Sequence, residues 1–199
     1  MPEVLIVPTG AANLASVFAA LRRLGAHPRL CPGADEAHAA ERLVLPGVGA
    51  FGAARAALEA EGLIEVLGER VRAGRPTLCV CLGLQLLCRS SEESPGVPGL
   101  GVVHAEVTRF PAGVRSPQMG WNQVTPGPAS RLVTSGYAYF ANSYRIAAPP
   151  AGWACATTDH GGPFVSALER GDVLACQFHP ELSGAWGQSL IARWGGFSC

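Results

Sequence analysis

The chain has 199 residues and a formal net charge of zero at neutral pH, with 48% hydrophobic and 15% charged residues. This length predicts one domain over residues 1–199, and the balanced charge, without basic runs, argues against nucleic-acid binding. No segment is long and apolar enough to cross a bilayer and the start does not resemble a signal peptide, so a cytoplasmic location is expected.

The first half of the chain predicts alternating strands and helices. Residues 4–7 form a continuous apolar run, which is typical of a central parallel strand buried on both faces. Apolar residues then recur at helical spacing over 14–24, and Gly25 ends that helix. Further strands are predicted at 27–31 and 43–45, and further helices at 50–60 and 63–73. This alternation indicates an α/β fold with a doubly wound sheet.

The segment 77–85 is the most informative part of the sequence. Residues 77–80 predict a short buried strand and residues 82–88 a helix, which places Cys81 at a sharp turn between them. A side chain at such a turn projects into the open, beside the free N–H groups of the helix start, where an anion is favoured. The arrangement suits acyl transfer by a thiolate, although such a cysteine can also be a small buried core residue.

The second half is rich in β-structure. Gly- and Pro-containing turns separate short predicted strands, with hairpin turns at 159–162 and 170–172. The strands are predicted at 102–110, 121–125, 137–146, 153–158, 164–169 and 173–178. A final helix is predicted at 185–193. We therefore expect one α/β domain with a β-rich second half.

His179 stands where the last predicted strand is stopped by Pro180, and Glu181 follows just beyond. An imidazole can take the proton from a thiol, and a carboxylate two residues on can fix its tautomer. His179 could instead merely end the strand, with Glu181 in solvent. The cysteine turn elsewhere in the chain favours a catalytic pair.

Five motifs, which occur along the chain in the family's order, resemble those of a known family. Segments 81–85 and 177–181 resemble the signatures of the class I (triad) glutamine amidotransferases. Segments 45–51, 119–122 and 139–144 are similar to those of one branch of that class, the glutaminase subunit of imidazole glycerol phosphate synthase in histidine biosynthesis. The resemblance spans residues 4–194, which is essentially the whole chain.

The resemblance implies a flavodoxin-like class I fold and hydrolysis of glutamine to glutamate and ammonia through a cysteinyl thioester. Cys81 would be the nucleophile, His179 the general base and then acid, and Glu181 the residue that orients His179. The oxyanion would be bound by the backbone N–H groups of Leu82 and Val48, the latter in a glycine-containing loop that could also be an ordinary turn.

Substrate and partner contacts are also implied. Gln85 lies one helical turn past Cys81 and would face glutamine, although it could also be solvated. The expected substrate-binding residues are Gly49, Gln85, Asn142, Ser143 and Tyr144. Met119, Trp121 and Asn122 would face a partner, but Trp121 could equally be a core residue.

The implied partner is the cyclase subunit of the synthase, in a heterodimer, because ammonia released into water would be protonated and lost. The sequence shows no nucleotide-binding motif or second domain that could receive it. Two alternatives stay open: a glutaminase serving anthranilate or pyridoxal phosphate synthesis, and a regulatory relative that has lost catalysis.

Three positions depart from the family pattern. Cys79 replaces the usual first glycine of the sharp strand-to-helix turn around Cys81, which we call the elbow, and its small size should preserve the turn. Asn142 stands where histidine is common, so the role of its side chain is open. Leu182 stands where lysine is common, so an ion pair made by that lysine cannot form here.

The cysteines predict neither disulfides nor a metal site. Seven is an odd number, and without a targeting segment reduced thiols are expected. Cys79 and Cys81 could be half of a zinc site, but no second Cys/His pair accompanies them, so no metal or other cofactor is predicted. All fifteen basic residues are arginine, which excludes a Schiff-base or P-loop lysine.

Overall fold

The computed structural model describes residues 1–9 and 13–197. In this part of the chain the helices are α1 (Leu14–Arg23), α2 (Ala34–Ala39), α3 (Phe51–Ala60), α4 (Leu63–Arg72), α5 (Leu82–Leu86) and α6 (Gly184–Gly195). The strands are β1 (Glu3–Ile6), β2 (His27–Leu30), β3 (Leu43–Leu45), β4 (Thr77–Val80), β5 (Cys88–Ser91), β6 (Val103–Arg109), β7 (Gln118–Pro126), β8 (Gly136–Asn142), β9 (Tyr144–Ile146), β10 (Ala154–Asp159), β11 (Pro163–Arg170) and β12 (Val173–Cys176). A 3-10 helix, Pro180–Leu182, precedes α6.

One half of the sheet is parallel, in the order β2-β1-β3-β4-β12. This is the strand order of a flavodoxin-like doubly wound sheet, which confirms the predicted fold class. The sheet continues with β11, β10, β7 and β8, which pair antiparallel. Strands β5, β6 and β9 branch from it, with β9 paired to β11. The β-rich second half of the sequence therefore extends the parallel sheet.

Alternate residues of the parallel strands enter two different cores. Val4 and Ile6 of β1 pack on one face, together with residues of α1 and α6. Leu5 of β1 points to the other face, which α3 and α4 cover. Because side chains alternate along a strand, an all-apolar strand has both faces buried, as the sequence indicated.

Strands β4 and β12 lie side by side in the middle of the sheet. Their register pairs Cys79 with Ala175 and Val80 with Cys176. The carboxyl ends of two adjacent parallel strands meet at the same edge of the sheet, which is where ligands bind in this architecture. Cys81 and His179 follow these two strand ends, so the topology brings together residues almost a hundred positions apart.

Four segments differ from the sequence predictions. The strand predicted over 137–146 is divided at Ser143 into β8 and β9, because β8 pairs with β7 whereas β9 pairs with β6 and β11. The helix predicted over 82–88 ends at Leu86, and Cys88 begins β5, which pairs with β6. The sequence predicts no helix at Ala34–Ala39, because this segment has only six residues and little apolar periodicity, but α2 forms there. The strand predicted to reach Phe178 stops at Cys176, because the next residues leave the β4 pairing and bond to Ser166 and Tyr139.

The side chain of a buried arginine forms hydrogen bonds to several loop segments near α4, on the face of the sheet that α3 and α4 cover. Arg70 of α4 is 2% exposed, and its guanidinium donates to the carbonyl oxygens of Ala40, Glu41 and Pro76 and to the hydroxyl of Thr77. Burial is the main cause that lowers the pKa of Arg70, to about 10. The side chain therefore supplies partners for backbone carbonyls that would otherwise be buried without hydrogen bonds.

Two further findings concern membrane spans and metal sites. None of the helices in residues 1–9 and 13–197 has the length and hydropathy that a membrane crossing requires. Within the same residues, His, Cys, Asp and Glu side chains form no group of three or more placed to hold a metal ion.

Candidate active site

Cys81 sits at a strained turn between β4 and α5. Its backbone has φ 52° and ψ −107°, and it is the one non-glycine residue in the described part of the chain with positive φ. Its N–H donates to the carbonyl of Cys176 at 2.6 Å. Such strain persists only where surrounding contacts hold it, and it concentrates at functional sites. Cys81 is only 7% exposed and lies on the floor of a cleft. The prediction that its side chain projects into the open is therefore wrong.

His179 is fixed on both its backbone and its ring. Its N–H donates to the carbonyl of Tyr139 at 2.9 Å, and its own carbonyl accepts from the hydroxyl of Ser183 at 2.6 Å. Its ring Nδ1 lies 2.8 Å from Oε1 of Glu181. The carboxylate can only accept, so Nδ1 donates and Nε2 is left for the sulfur of Cys81.

The protonation of His179 follows from these neighbours. Burial alone lowers the pKa of the imidazole, but hydrogen bonds and charge interactions with Cys81 and Glu181 outweigh burial and raise the pKa to about 10. His179 is therefore an imidazolium at neutral pH. A cation at this position favours an anionic sulfur on Cys81 and can deliver a proton to a departing amine.

A cleft of about 330 Å³ opens beside these side chains. Among the residues predicted to contact substrate or oxyanion, all seven line it. The lining consists of Val48, Gly49, Cys81, Leu82, Gln85, Glu93, Ala141, Asn142, Ser143, Tyr144 and His179. Its volume suits a small amino acid.

Side-chain amide groups form hydrogen bonds between the walls of the cleft. Gln85 is 5% exposed, and its Nε2 donates to the carbonyl of Tyr144 at 3.3 Å and to Oε1 of Gln177 at 3.0 Å. The Nδ2 of Asn142 donates to the same Tyr144 carbonyl at 3.0 Å. The solvated alternative for Gln85 is therefore wrong, and the side chain of Asn142 holds the strand connection in shape.

The expected oxyanion donors are not both free. The N–H of Leu82 donates to the carbonyl of Gly47 at 3.3 Å. The loop before α3 is packed tightly on the elbow: a Cβ at Gly47 would lie 2.6 Å from Cβ of Leu82 and 2.7 Å from the nitrogen of Gly83. A carbonyl oxygen thus occupies a donor that an oxyanion would need.

Glu93 is a cleft residue that the sequence analysis missed. It is the one acidic side chain in the lining of the cleft, and its Oε2 accepts from the N–H of Phe51 at 2.7 Å, at the start of α3. Residues 92–95 have no motif that would indicate a site. Only the folded chain brings Glu93 beside Val48 and Gln85.

Met119, Trp121 and Asn122 lie outside this cleft. Met119 and Trp121 are 68% and 57% exposed, so Trp121 is not a core residue. Trp121 packs edge-on against Tyr139, the residue paired with it on β8, at 6.4 Å between ring centroids. Asn122 donates to the carbonyl of Asp159 at 2.7 Å. The apolar surface of β7 and β8 therefore begins next to His179, which pairs with Tyr139.

The departures at Cys79 and Leu182 are accommodated. Cys79 is fully buried in β4, where burial raises the pKa of its thiol to about 12, and the turn at Cys81 forms beside it. Leu182 is 38% exposed at the end of the 3-10 helix, so it adds an apolar side chain to the surface.

Comparisons with known proteins agree with one another. The family model "Glutamine amidotransferase class-I" matches residues 5–194. "Imidazole glycerol phosphate synthase subunit HisH" of Symbiobacterium thermophilum is 40% identical over 203 residues, which cover 100% of this chain and 96% of that protein.

A plant protein and a crystal structure extend these matches. "Imidazole glycerol phosphate synthase hisHF, chloroplastic" of Arabidopsis thaliana is 41% identical over 197 residues, covering 96% of this chain and 33% of that longer protein. The crystal structure of a glutamine amidotransferase has the same fold, with a TM-score of 0.77 at 21% identity, covering 97% of this chain and 98% of that one.

Proposed function

The chain belongs to the class I glutamine amidotransferases, and we propose that it is the glutaminase subunit of an imidazole glycerol phosphate synthase. The relative from S. thermophilum has that function by name and matches the entire chain. The observation on which the chemistry depends is that Cys81 and His179 line one cleft, with the carboxylate of Glu181 bonded to the imidazole of His179. We infer further that residues 1–199 form one glutaminase domain.

Cys81 attacks the side-chain amide of glutamine, and the negative charge moves from sulfur to the carbonyl oxygen. The imidazolium of His179 then gives its proton to the amide nitrogen, which leaves as ammonia, and a thioester remains. His179, now neutral, takes a proton from water as the water attacks the thioester. Collapse of the second tetrahedral intermediate releases glutamate and returns the sulfur to its anionic form.

Glu93 accounts for recognition of the amino end of the substrate. A carboxylate on the wall of the cleft pairs with the α-ammonium of glutamine, whereas the Asn142–Tyr144 backbone offers polar groups to the remainder. The pair would orient the side-chain amide toward Cys81. Because Glu93 also accepts from the N–H of Phe51, it is held in place before the substrate arrives.

The oxyanion requires a rearrangement of the loop at Gly47 and Val48. Turning the peptide between these residues removes the Gly47 carbonyl from Leu82 and directs the N–H of Val48 into the cleft. Two N–H donors then face the same point. Glycines on both sides of Val48 make this rotation inexpensive. A partner that favours the turned peptide would switch catalysis on.

The partner in this proposal is a cyclase that receives the ammonia. The plant relative is about three times as long as the matched region, as expected of a protein that joins a glutaminase to a second activity. The exposed Met119 and Trp121 offer an apolar contact surface that is connected to His179 through Tyr139.

The test is glutamate release by the wild-type chain and by Cys81→Ala, each mixed with a cyclase subunit and its acceptor substrate. We expect wild-type release that depends on the cyclase and loss of at least about a thousandfold in the variant. Stimulation by an anthranilate or pyridoxal phosphate synthase subunit instead would reassign the pathway. Failure with every partner would favour a regulatory relative.

A further inference from the structure

Gln177 lies between the last parallel strand and His179, and its side chain reaches the reactive sulfur. The residue is fully buried, and its backbone N–H is fixed by the carbonyl of Ser166 at 2.9 Å. Its Nε2 lies 3.6 Å from Sγ of Cys81, within hydrogen-bonding range for sulfur. Its Oε1 accepts from Nε2 of Gln85. Neither the triad nor the expected substrate contacts include this residue.

The direction of this amide chain is set at its far end. The carbonyl of Tyr144 can only accept, so the group of Gln85 that faces it must be the NH₂. The same NH₂ faces Gln177, whose oxygen must therefore point toward Gln85. The NH₂ of Gln177 is consequently directed at Cys81. A reversed amide would place two acceptors against each other at Tyr144.

We propose that Gln177 is a second hydrogen-bond donor to the sulfur of Cys81, and that it stabilises the sulfur whenever it is negatively charged. This role rests on the proposed glutaminase function. The sulfur is anionic before it attacks glutamine and again when it leaves the second tetrahedral intermediate. A hydrogen bond to an ion is stronger than one to a neutral group, so the bond weakens in the thioester, where the sulfur is neutral.

Gln177 differs from His179 in one respect that matters chemically. The imidazole gives up its proton during the reaction, whereas a primary amide does not titrate and donates at every stage. The amide is also held by Gln85, which reaches the Asn142–Tyr144 wall of the cleft. The geometry of the nucleophile is thus linked to the wall that glutamine would contact.

The experiment measures alkylation of Cys81 by iodoacetamide as a function of pH, in the lone chain, with peptide mass spectrometry to separate Cys81 from the other cysteines. Gln177→Met keeps the length of the side chain and removes the donor, and Gln177→Glu keeps its shape and replaces the NH₂ by oxygen. Gln188→Leu, on α6, is the matched control, because it removes a single side-chain hydrogen bond, to the carbonyl of Ala20 on α1.

We expect Gln177→Met to slow alkylation of Cys81 at neutral pH by about tenfold to a hundredfold, and to move the rate profile to higher pH. Gln177→Glu should shift it further, because a carboxylate repels the anionic sulfur. The control should follow the wild type. In the complex with a cyclase, kcat should fall in both Gln177 variants with little change in KM for glutamine.

A purely structural role makes a different prediction. It would lower Tm in the Gln177 variants and leave the alkylation profile of the folded protein unchanged, and that outcome would overturn the proposal. If Gln177→Met does not fold, the nearly isosteric Gln177→Glu decides the question. Absence of glutaminase activity in the wild type would refute the proposed function alone, since alkylation of Cys81 is measured without turnover.

Discussion

Cys81 differs from the other buried cysteines by its neighbours rather than by its depth. Burial raises the pKa of Cys79 and Cys88 to about 12 and that of Cys176 well above its ordinary value. Cys81 is nearly as buried but contacts His179 and the amide of Gln177. At the scale of single residues, reactivity is therefore set by which polar groups surround a sulfur.

This contrast predicts selective labelling. A glutamine-like electrophile such as diazo-oxo-norleucine should modify Cys81 and leave Cys79, Cys88 and Cys176 unmodified, because those thiols are buried and neutral. Peptide mass spectrometry after labelling identifies the site. Equal labelling in Cys81→Ala would show that another cysteine reacts and would remove Cys81 from the nucleophile role.

The raised pKa of His179 predicts a pH dependence of stability. Its folded-state pKa of about 10 exceeds the ordinary 6.5, so the folded protein holds an extra proton between these values. The stabilisation is fully present below about pH 6.5 and is lost as pH rises through about 10. Relative to His179→Gln, the free energy of unfolding of the wild type should fall by up to about 1.4 kcal/mol per pH unit in this window.

Denaturant unfolding of both proteins between pH 6 and 10 measures this difference. The raised pKa values of Cys79, Cys88 and Cys176 have causes other than His179, so the titration of these three thiols contributes equally to both proteins and cancels in the comparison. Parallel curves for the wild type and the variant would contradict the charge interactions of His179 with Cys81 and Glu181.

The position of Glu93 predicts that loss of its charge weakens glutamine binding more than it slows the chemical step. Glu93→Gln removes the negative charge but keeps an oxygen that can accept from Phe51, so the start of α3 should be preserved. We expect KM for glutamine to rise by about tenfold or more, with a smaller effect on kcat. An unchanged KM at saturating partner would show that Glu93 only caps the helix.

At the scale of elements, the connections around Arg70 depend on one side chain for their polar contacts. Arg70→Met should lower the free energy of unfolding by about 3 kcal/mol or more, because several buried carbonyls lose their donor. Arg72→Met, on the exposed side of the same helix, is the matched control and should change stability little. Thermal and denaturant unfolding of both variants provide the measurement.

The elements that could be predicted from the sequence are those with strong local signals. An apolar run bounded by Pro76 and the turn at Cys81 gives β4 its observed bounds, Thr77–Val80, and β3 likewise matches. Cys88 was misassigned because Leu86 and Leu87 suit a buried helix as well as a strand edge. Pairing with β6, a distant segment, decides between them.

The residues of the candidate site likewise fall into two groups: those that a local motif indicates and those that only tertiary packing brings to the site. Cys81 and Glu181 belong to local motifs, and the sequence order of those motifs indicates the site. Glu93 and the side-chain contact of Gln177 arise from tertiary packing across more than forty residues, so no local spacing indicates them. The occupation of the Leu82 donor by Gly47 also depends on how two loops meet.

At the scale of the whole molecule, the apolar surface of β7 and β8 and the loop with Gly47 and Val48 both lie next to the Cys81–His179 pair. Trp121 packs on Tyr139, and Tyr139 bonds to the backbone of His179. Val48 of this loop lines the same cleft as Cys81 and His179. A partner seated on β7 and β8 would therefore contact residues directly connected to His179, as the proposed dependence of activity on a partner requires.

The most direct test is the kcat and KM for glutamine hydrolysis by the lone chain, by its complex with a cyclase subunit, and by that complex with the acceptor substrate bound. We predict a slow lone chain and a kcat at least about a hundredfold higher in the loaded complex, with a small change in KM, because a second oxyanion donor acts in the transition state. Equal kcat values in all three would contradict the account and indicate an autonomous glutaminase.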